Sequence, residues 1–99
     1  MMIDGIHIEL PALSSEKIET GVAIYLEDDK KLLTLNSTAS FIWNEVFTAH
    51  EAHNDITTCK IAVALLNACS LPQEDLSMVV DDTKETINTF FRDGLIIMG

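Results

Sequence analysis

The chain has 99 residues, the size of one domain, and 47% of them are apolar, which is enough for a folded core. Its formal net charge is −10, from 16 Asp and Glu against 6 Lys and Arg. This balance excludes the clustered positive charge that binds nucleic-acid phosphates, and it opposes binding to an anionic membrane surface. We therefore predict one soluble domain over residues 1–99, with no nucleic acid and no membrane among its partners.

The first half of the chain has the pattern of β-strands. Apolar residues alternate loosely over 3–10, whereas the mostly polar stretch 12–17 is interpreted as a connection. Residues 21–26 and 31–35 are rich in β-branched, aromatic and leucine side chains, and the charged segment 27–30 joins them. Two such runs joined by a short charged turn predict an antiparallel hairpin.

The second half has the spacing of helices. Capping residues at 36–38 precede the first apolar run, and Asp55 or Thr57 could cap the second helix. The polar segment 48–54 is expected to be a loop, and Gly94 is expected to end the third helix. The predicted elements are helices over 39–47, 58–69 and 74–92, followed over 95–98 by a short closing strand or an extension packed on the core.

The order of the predicted elements indicates a fold class. Strands come first and helices follow, which is typical of an α+β domain. We predict a winged helix-turn-helix-like arrangement in which a three-stranded antiparallel sheet packs on three helices. On the third helix, side chains at three- and four-residue spacing form the predicted core stripe. These are Val80, Thr83, Ile87 and Phe90.

Three local patterns resemble the PqqD-like family, whose members are peptide chaperones also called RiPP recognition elements. They are the run 35–43, with Leu-Asn at 35–36 and Ile-Trp at 42–43, the helix around 56–66, and the run 81–96, which ends in Gly-Leu-Ile at 94–96. Their order and spacing carry the resemblance over residues 20–97. It implies a cytoplasmic protein that binds the leader of a ribosomally made precursor peptide. The protein would present that leader to a modifying enzyme, in several systems a radical S-adenosylmethionine enzyme, without being an enzyme or holding a cofactor itself.

The resemblance also implies where the peptide binds. In the family the leader adds as a strand to the exposed edge of the third strand and lies against the third helix. The same edge could instead pair with a second copy, giving a homodimer. Carried over to this sequence, the edge residues are Lys31, Leu32, Leu33, Thr34 and Leu35, and the helix residues are Val79, Asp82, Thr86 and Thr89.

Histidine and cysteine side chains raise the question of a metal or catalytic site. His50 and His53 are three residues apart, and Cys59 is close in sequence, but no further ligand pair completes a metal site. Cys59 and Cys69 are ten residues apart on one predicted helix, about 15 Å, which is beyond disulfide reach. We interpret both as buried free thiols in a reducing cytoplasm, and we predict no catalytic residue and no bound metal.

Two other classes of function remain as alternatives. One is a small metal-dependent enzyme, in which the histidine and cysteine side chains would bind the metal. A winged-helix transcription regulator would need cationic side chains on its recognition helix to meet phosphates. The third predicted helix and its end are instead acidic. They hold Asp81, Asp82, Glu85 and Asp93 against Lys84 and Arg92.

Overall fold

A computed structural model describes all residues, 1–99, and confirms the α+β class, with two three-stranded antiparallel sheets and three helices. A short 3₁₀ turn, Gln73–Asp75, leads into the third helix. The strands are β1 (Met2–Ile3), β2 (Ile6–Glu9), β3 (Leu13–Ile18), β4 (Gly21–Leu26), β5 (Lys31–Asn36) and β6 (Ile97–Met98). The helices are α1 (Ser37–Glu51), α2 (Thr58–Ala68) and α3 (Leu76–Arg92).

The main sheet has the strand order β3-β4-β5, with every neighbouring pair antiparallel. The predicted hairpin is confirmed as β4 and β5, joined by residues 27–30. The interpretation of 12–17 as a connection is wrong, because all six residues of β3 pair with β4 across a two-residue turn. The side chains of β3 are mostly polar and exposed, so the pairing with β4 rather than an apolar pattern makes this segment a strand.

A second, smaller sheet joins the two ends of the chain in the order β1-β2-β6. The predicted apolar segment 3–10 is divided into two strands by a turn at Asp4 and Gly5, both with positive φ. Both alternatives for 95–98 are found: Ile97 and Met98 pair with β2 as a short closing strand, whereas Leu95 and Ile96 are buried in the core. Backbone hydrogen bonds also tie this hairpin to the loop before α2, through Asp4 N–H to the Ile56 carbonyl at 3.1 Å.

The helix ends follow local capping chemistry. The Asn36 side chain accepts a hydrogen bond from Ala39 N–H at 2.9 Å and begins α1, and Thr57 caps α2 in the same way. The prediction of a loop over 48–54 is wrong in its first half, because α1 continues through His50 to Glu51. Apolar periodicity fades before the helix ends, so the sequence pattern placed the boundary too early.

The core lies between the main sheet and the three helices, and it includes residues of the smaller sheet. Trp43 of α1 meets Phe90 of α3 edge to face, with ring centroids 5.9 Å apart. On α3 the predicted core stripe is correct except for its first residue, which is Val79 and not Val80. Val79 is only 4% exposed, whereas Val80 is half-buried. The fully buried Thr83 donates its hydroxyl to the Val79 carbonyl at 2.7 Å, which satisfies the only polar group on this face.

Cys59 and Cys69 are both free and both exposed. The prediction of free thiols is confirmed, but the prediction of burial is wrong. The buried stripe of α2 instead consists of Thr58, Ile61, Ala62, Leu65 and Leu66. Among the helices, none is both long and apolar enough to cross a membrane.

Candidate functional site

The edge of the main sheet formed by β5 has backbone groups without a partner. The Glu27 N–H donates to the Ala12 carbonyl at 3.1 Å, which continues the β3–β4 ladder past the end of both strands. Hydrogen-bonded and non-hydrogen-bonded pairs alternate along an antiparallel ladder. The odd-numbered residues of β4 therefore bond to β3, and its even-numbered residues bond to β5.

This alternation identifies the open groups on β5. Lys31, Leu33 and Leu35 are opposite the even-numbered residues of β4 and use their N–H and C=O groups in the sheet. The N–H and C=O groups of Leu32 and Thr34 point away from the sheet. An added strand would form its hydrogen bonds at these two residues.

The side chains of β5 alternate between the two faces of the sheet. Leu33 and Leu35 lie on the helix side and pack against the core, but both remain half-exposed. Leu32 points to the opposite face and is 64% exposed, next to Tyr25 of β4. The edge therefore offers apolar surface on both faces as well as open backbone groups.

The candidate helix residues have different surroundings. Val79 is in the core and has almost no surface to offer a peptide, the reverse of the sequence-based expectation. Asp82 is exposed, and Thr86 and Thr89 are half-buried on the same side of α3. These three residues are called the α3 flank below.

The two threonine hydroxyls of the α3 flank are committed to the helix itself. Thr86 donates to the Asp82 carbonyl at 2.9 Å, and Thr89 donates to the Glu85 carbonyl at 3.0 Å. The Arg92 guanidinium in turn donates to the Thr89 hydroxyl at 2.9 Å. Because both hydroxyl protons are used, neither residue can donate to a ligand, and what remains is methyl surface and the acceptor capacity of the hydroxyl oxygens.

The opposite side of α3 faces the N-terminal hairpin. Lys84, Asn88 and Phe91 line a cavity of about 220 Å³ together with Ile3 and Ile6. A helix turns about 100° per residue, so the α3 flank lies on the other side of the buried stripe from this cavity. The α3 flank is therefore not covered by the smaller sheet.

The structure does not join β5 and the α3 flank into one groove. The helix that packs directly on β4 and β5 is α1, whereas α3 packs mainly on α2 and also on α1. None of the five main cavities is lined by both β5 and α3. The turn before β5 does reach the end of α3, since an added Cβ at Gly94 would lie 3.9 Å from the Asp29 Oδ2 atom.

The sequence reasoning missed a second open edge, formed by β3. By the same alternation, Leu13, Ser15 and Lys17 direct their backbone groups away from the sheet. The signal available in the sequence was the short spacer, Glu19 and Thr20, between this segment and a clear strand. Such a two-residue spacer is typical of a β-hairpin.

The histidines do not form a metal site with other side chains. His50 lies in the last turn of α1, and its Nδ1 atom is buried without a hydrogen-bond partner. His53 is exposed, beyond the end of the helix. The structure contains no group of three or more His, Cys, Asp or Glu side chains placed to hold a metal ion.

No family model, curated protein or solved structure matches this chain. The similarity to PqqD-like proteins therefore rests on the three short motifs and on the order of the elements. In the structure those motif residues have structural roles. Asn36 caps α1, Ile42 and Trp43 are in the core, and Gly94 has φ +79 after α3.

Proposed function

We propose that this protein binds an extended peptide segment by strand addition to the open edge of β5. The segment would be the leader of a ribosomally made precursor, and the protein would present it to a peptide-modifying enzyme, as PqqD-like proteins do. The protein acts as a chaperone and catalyses no reaction itself. We place it in the cytoplasm, where the exposed thiols of Cys59 and Cys69 stay reduced.

The observation that carries this proposal is the set of open backbone groups at Leu32 and Thr34. Unpaired N–H and C=O groups along a strand edge supply affinity for any extended chain, and the side chains beside them supply selectivity. Here the neighbouring side chains are apolar, with Leu33 and Leu35 half-exposed on the helix side. This composition favours a peptide strand with apolar side chains over a purely polar one.

The charges near the edge support selection among peptides. Lys30 precedes the edge and Lys31 begins it, and both side chains are exposed. Exposed ion pairs contribute about 0–1 kcal/mol each, so these charges would set the preferred orientation and sequence of the peptide. The ladder of backbone hydrogen bonds and the buried apolar surface would supply most of the affinity.

The direct test is isothermal titration with synthetic leader segments, taken from the short precursor reading frames that neighbour the gene. We expect one of these peptides to bind with a micromolar or tighter constant. In amide NMR spectra of the complex, the largest shifts should fall at 31–35, and additional shifts along α3 would show that the peptide also reaches the α3 flank. Shifts confined to α2 would contradict the proposal.

Two matched proline variants make the test specific for the edge. In Thr34→Pro the lost N–H points away from the sheet, so no hydrogen bond within the protein is removed. Ser15→Pro makes the same change on the β3 edge. We expect Thr34→Pro to abolish peptide binding while Ser15→Pro leaves it unchanged. Loss of binding only in Ser15→Pro would place the peptide at β3. Binding of both variants with wild-type affinity would exclude strand addition at either edge.

A further inference from the structure

We propose that two copies of this chain pair through their β3 edges and form a two-fold symmetric dimer. The two main sheets would become one continuous six-stranded sheet with the order β5-β4-β3-β3-β4-β5. Lys17 of each copy would reach a cavity beside Glu51 of the other copy. This interface is separate from the β5 edge, and the inference does not depend on the proposed peptide binding.

The β3 edge has the longer set of open backbone groups. Leu13, Ser15 and Lys17 all direct their N–H and C=O groups outward, whereas β5 offers two such residues. No other backbone segment of the chain bonds to these groups. A second β3 strand, antiparallel to the first, supplies the matching pattern because both copies have the same spacing.

One register uses all of these groups. When Ser15 lies opposite Ser15 of the second copy, Leu13 lies opposite Lys17 and each of the three pairs can exchange two hydrogen bonds. In the same register Glu16 lies opposite Ser14, so no like charges meet. A shift that centred the pairing on Glu16 would place two carboxylates opposite each other, which is destabilising. A shift centred on Ser14 would lose a bond, since Pro11 has no N–H.

The charge pattern on the helix side of the sheet fits a second copy. Leu13 and Lys17 lie on the same face as the buried Ile24 of β4. Leu13, Phe47 and Glu51 line one cavity of about 360 Å³, between β3 and the end of α1. Lys17 of the second copy, opposite Leu13, can pack its aliphatic stem on these apolar side chains and place its ammonium group at Glu51.

Two-fold symmetry forms this Lys17–Glu51 contact twice. The chain has only 6 Lys and Arg against 16 Asp and Glu, so few other cations could form this contact. Lys17 is therefore specific to this interface. The net charge of −10 on each copy opposes association, and salt reduces this long-range repulsion. The dimer leaves both β5 edges at the ends of the long sheet, where each can still accept a peptide.

Sedimentation velocity of the full chain over a wide concentration range, at near-physiological ionic strength, tests the dimer. We expect the wild type and Thr34→Pro to dimerise equally, and Ser15→Pro to remain monomeric. Lys17→Glu should weaken dimerisation about tenfold, because two symmetric attractions become repulsions. Glu51→Lys should weaken it similarly.

The double variant Lys17→Glu/Glu51→Lys restores opposite charges and decides whether the two residues meet. We expect it to regain most of the wild-type dimerisation. Both residues are exposed, so these variants should fold even if a proline variant does not. A wild type that stays monomeric at every concentration, or a double variant as weak as the single ones, would overturn the proposal.

Discussion

Removing the Asp4 carboxylate should weaken the attachment of the N-terminal hairpin to α2. The Asp4 side chain accepts a hydrogen bond from the Thr58 N–H at 2.7 Å and another from the Thr58 hydroxyl. Thr58 is only 4% exposed, so both donors depend on this carboxylate. The carboxylate also lies at the N-terminal end of α2, where a negative charge is favourable.

The magnitude of the Asp4→Ala effect follows from these contacts. A buried donor without a partner costs about 1–3 kcal/mol, and two donors are lost here. Water can reach part of the site through the cavity that Asp4 and Thr58 line, which reduces the cost. Asp4 has φ +52, a conformation that alanine tolerates less well than Asp or Asn. We therefore expect a loss of about 2–4 kcal/mol, a large share of the typical stability of about 5–15 kcal/mol.

Urea unfolding followed by Trp43 fluorescence measures this loss, because Trp43 is the single tryptophan and is buried. Asp4→Asn keeps one acceptor and the backbone conformation, so it should be less destabilising. Asp55→Ala is the matched control: Asp55 is exposed and accepts only the Met2 N–H at 2.8 Å. We expect about 1 kcal/mol or less for this control. If Asp4→Ala and Asp55→Ala lowered stability equally, the buried Thr58 contacts would not have the assigned role.

Three further variants or probes test other features. Gly21→Ala should unfold the main sheet or strongly destabilise it, because the added Cβ would lie 1.8 Å from a backbone oxygen of β5. A circular dichroism spectrum and a melting temperature equal to those of the wild type would contradict this. Val79→Ala should lower the free energy of unfolding, measured in urea, by about 1–3 kcal/mol, and Val80→Ala should lower it clearly less. Equal losses would contradict the assigned rotation of α3. Cys59 and Cys69 should both react with a thiol reagent in the native protein, and protection of either would contradict its exposure.

Local patterns were enough to predict the segments whose side chains alternate or repeat on one face. The hairpin of β4 and β5, a helix cap within 36–38 and the three helices each depend on residues close in sequence, and each was predicted. The predicted end of α1 came too early, since the last turn of this helix contains polar residues that continue the helix through backbone bonding. The exposed positions of the two cysteines depend on how α2 is rotated against its neighbours.

The sequence by itself determined the α+β class, the acidic surface and the presence of a strand over 31–35 with apolar side chains. Only the tertiary structure decided that β3 is a strand, because its polar residues gain that conformation from pairing with β4. It also decided that Val79 rather than Val80 is buried, since the rotation of a helix is set by the elements packed against it. Which backbone groups stay open along an edge is a property of strand pairing, and strand pairing joins residues that the local pattern does not connect.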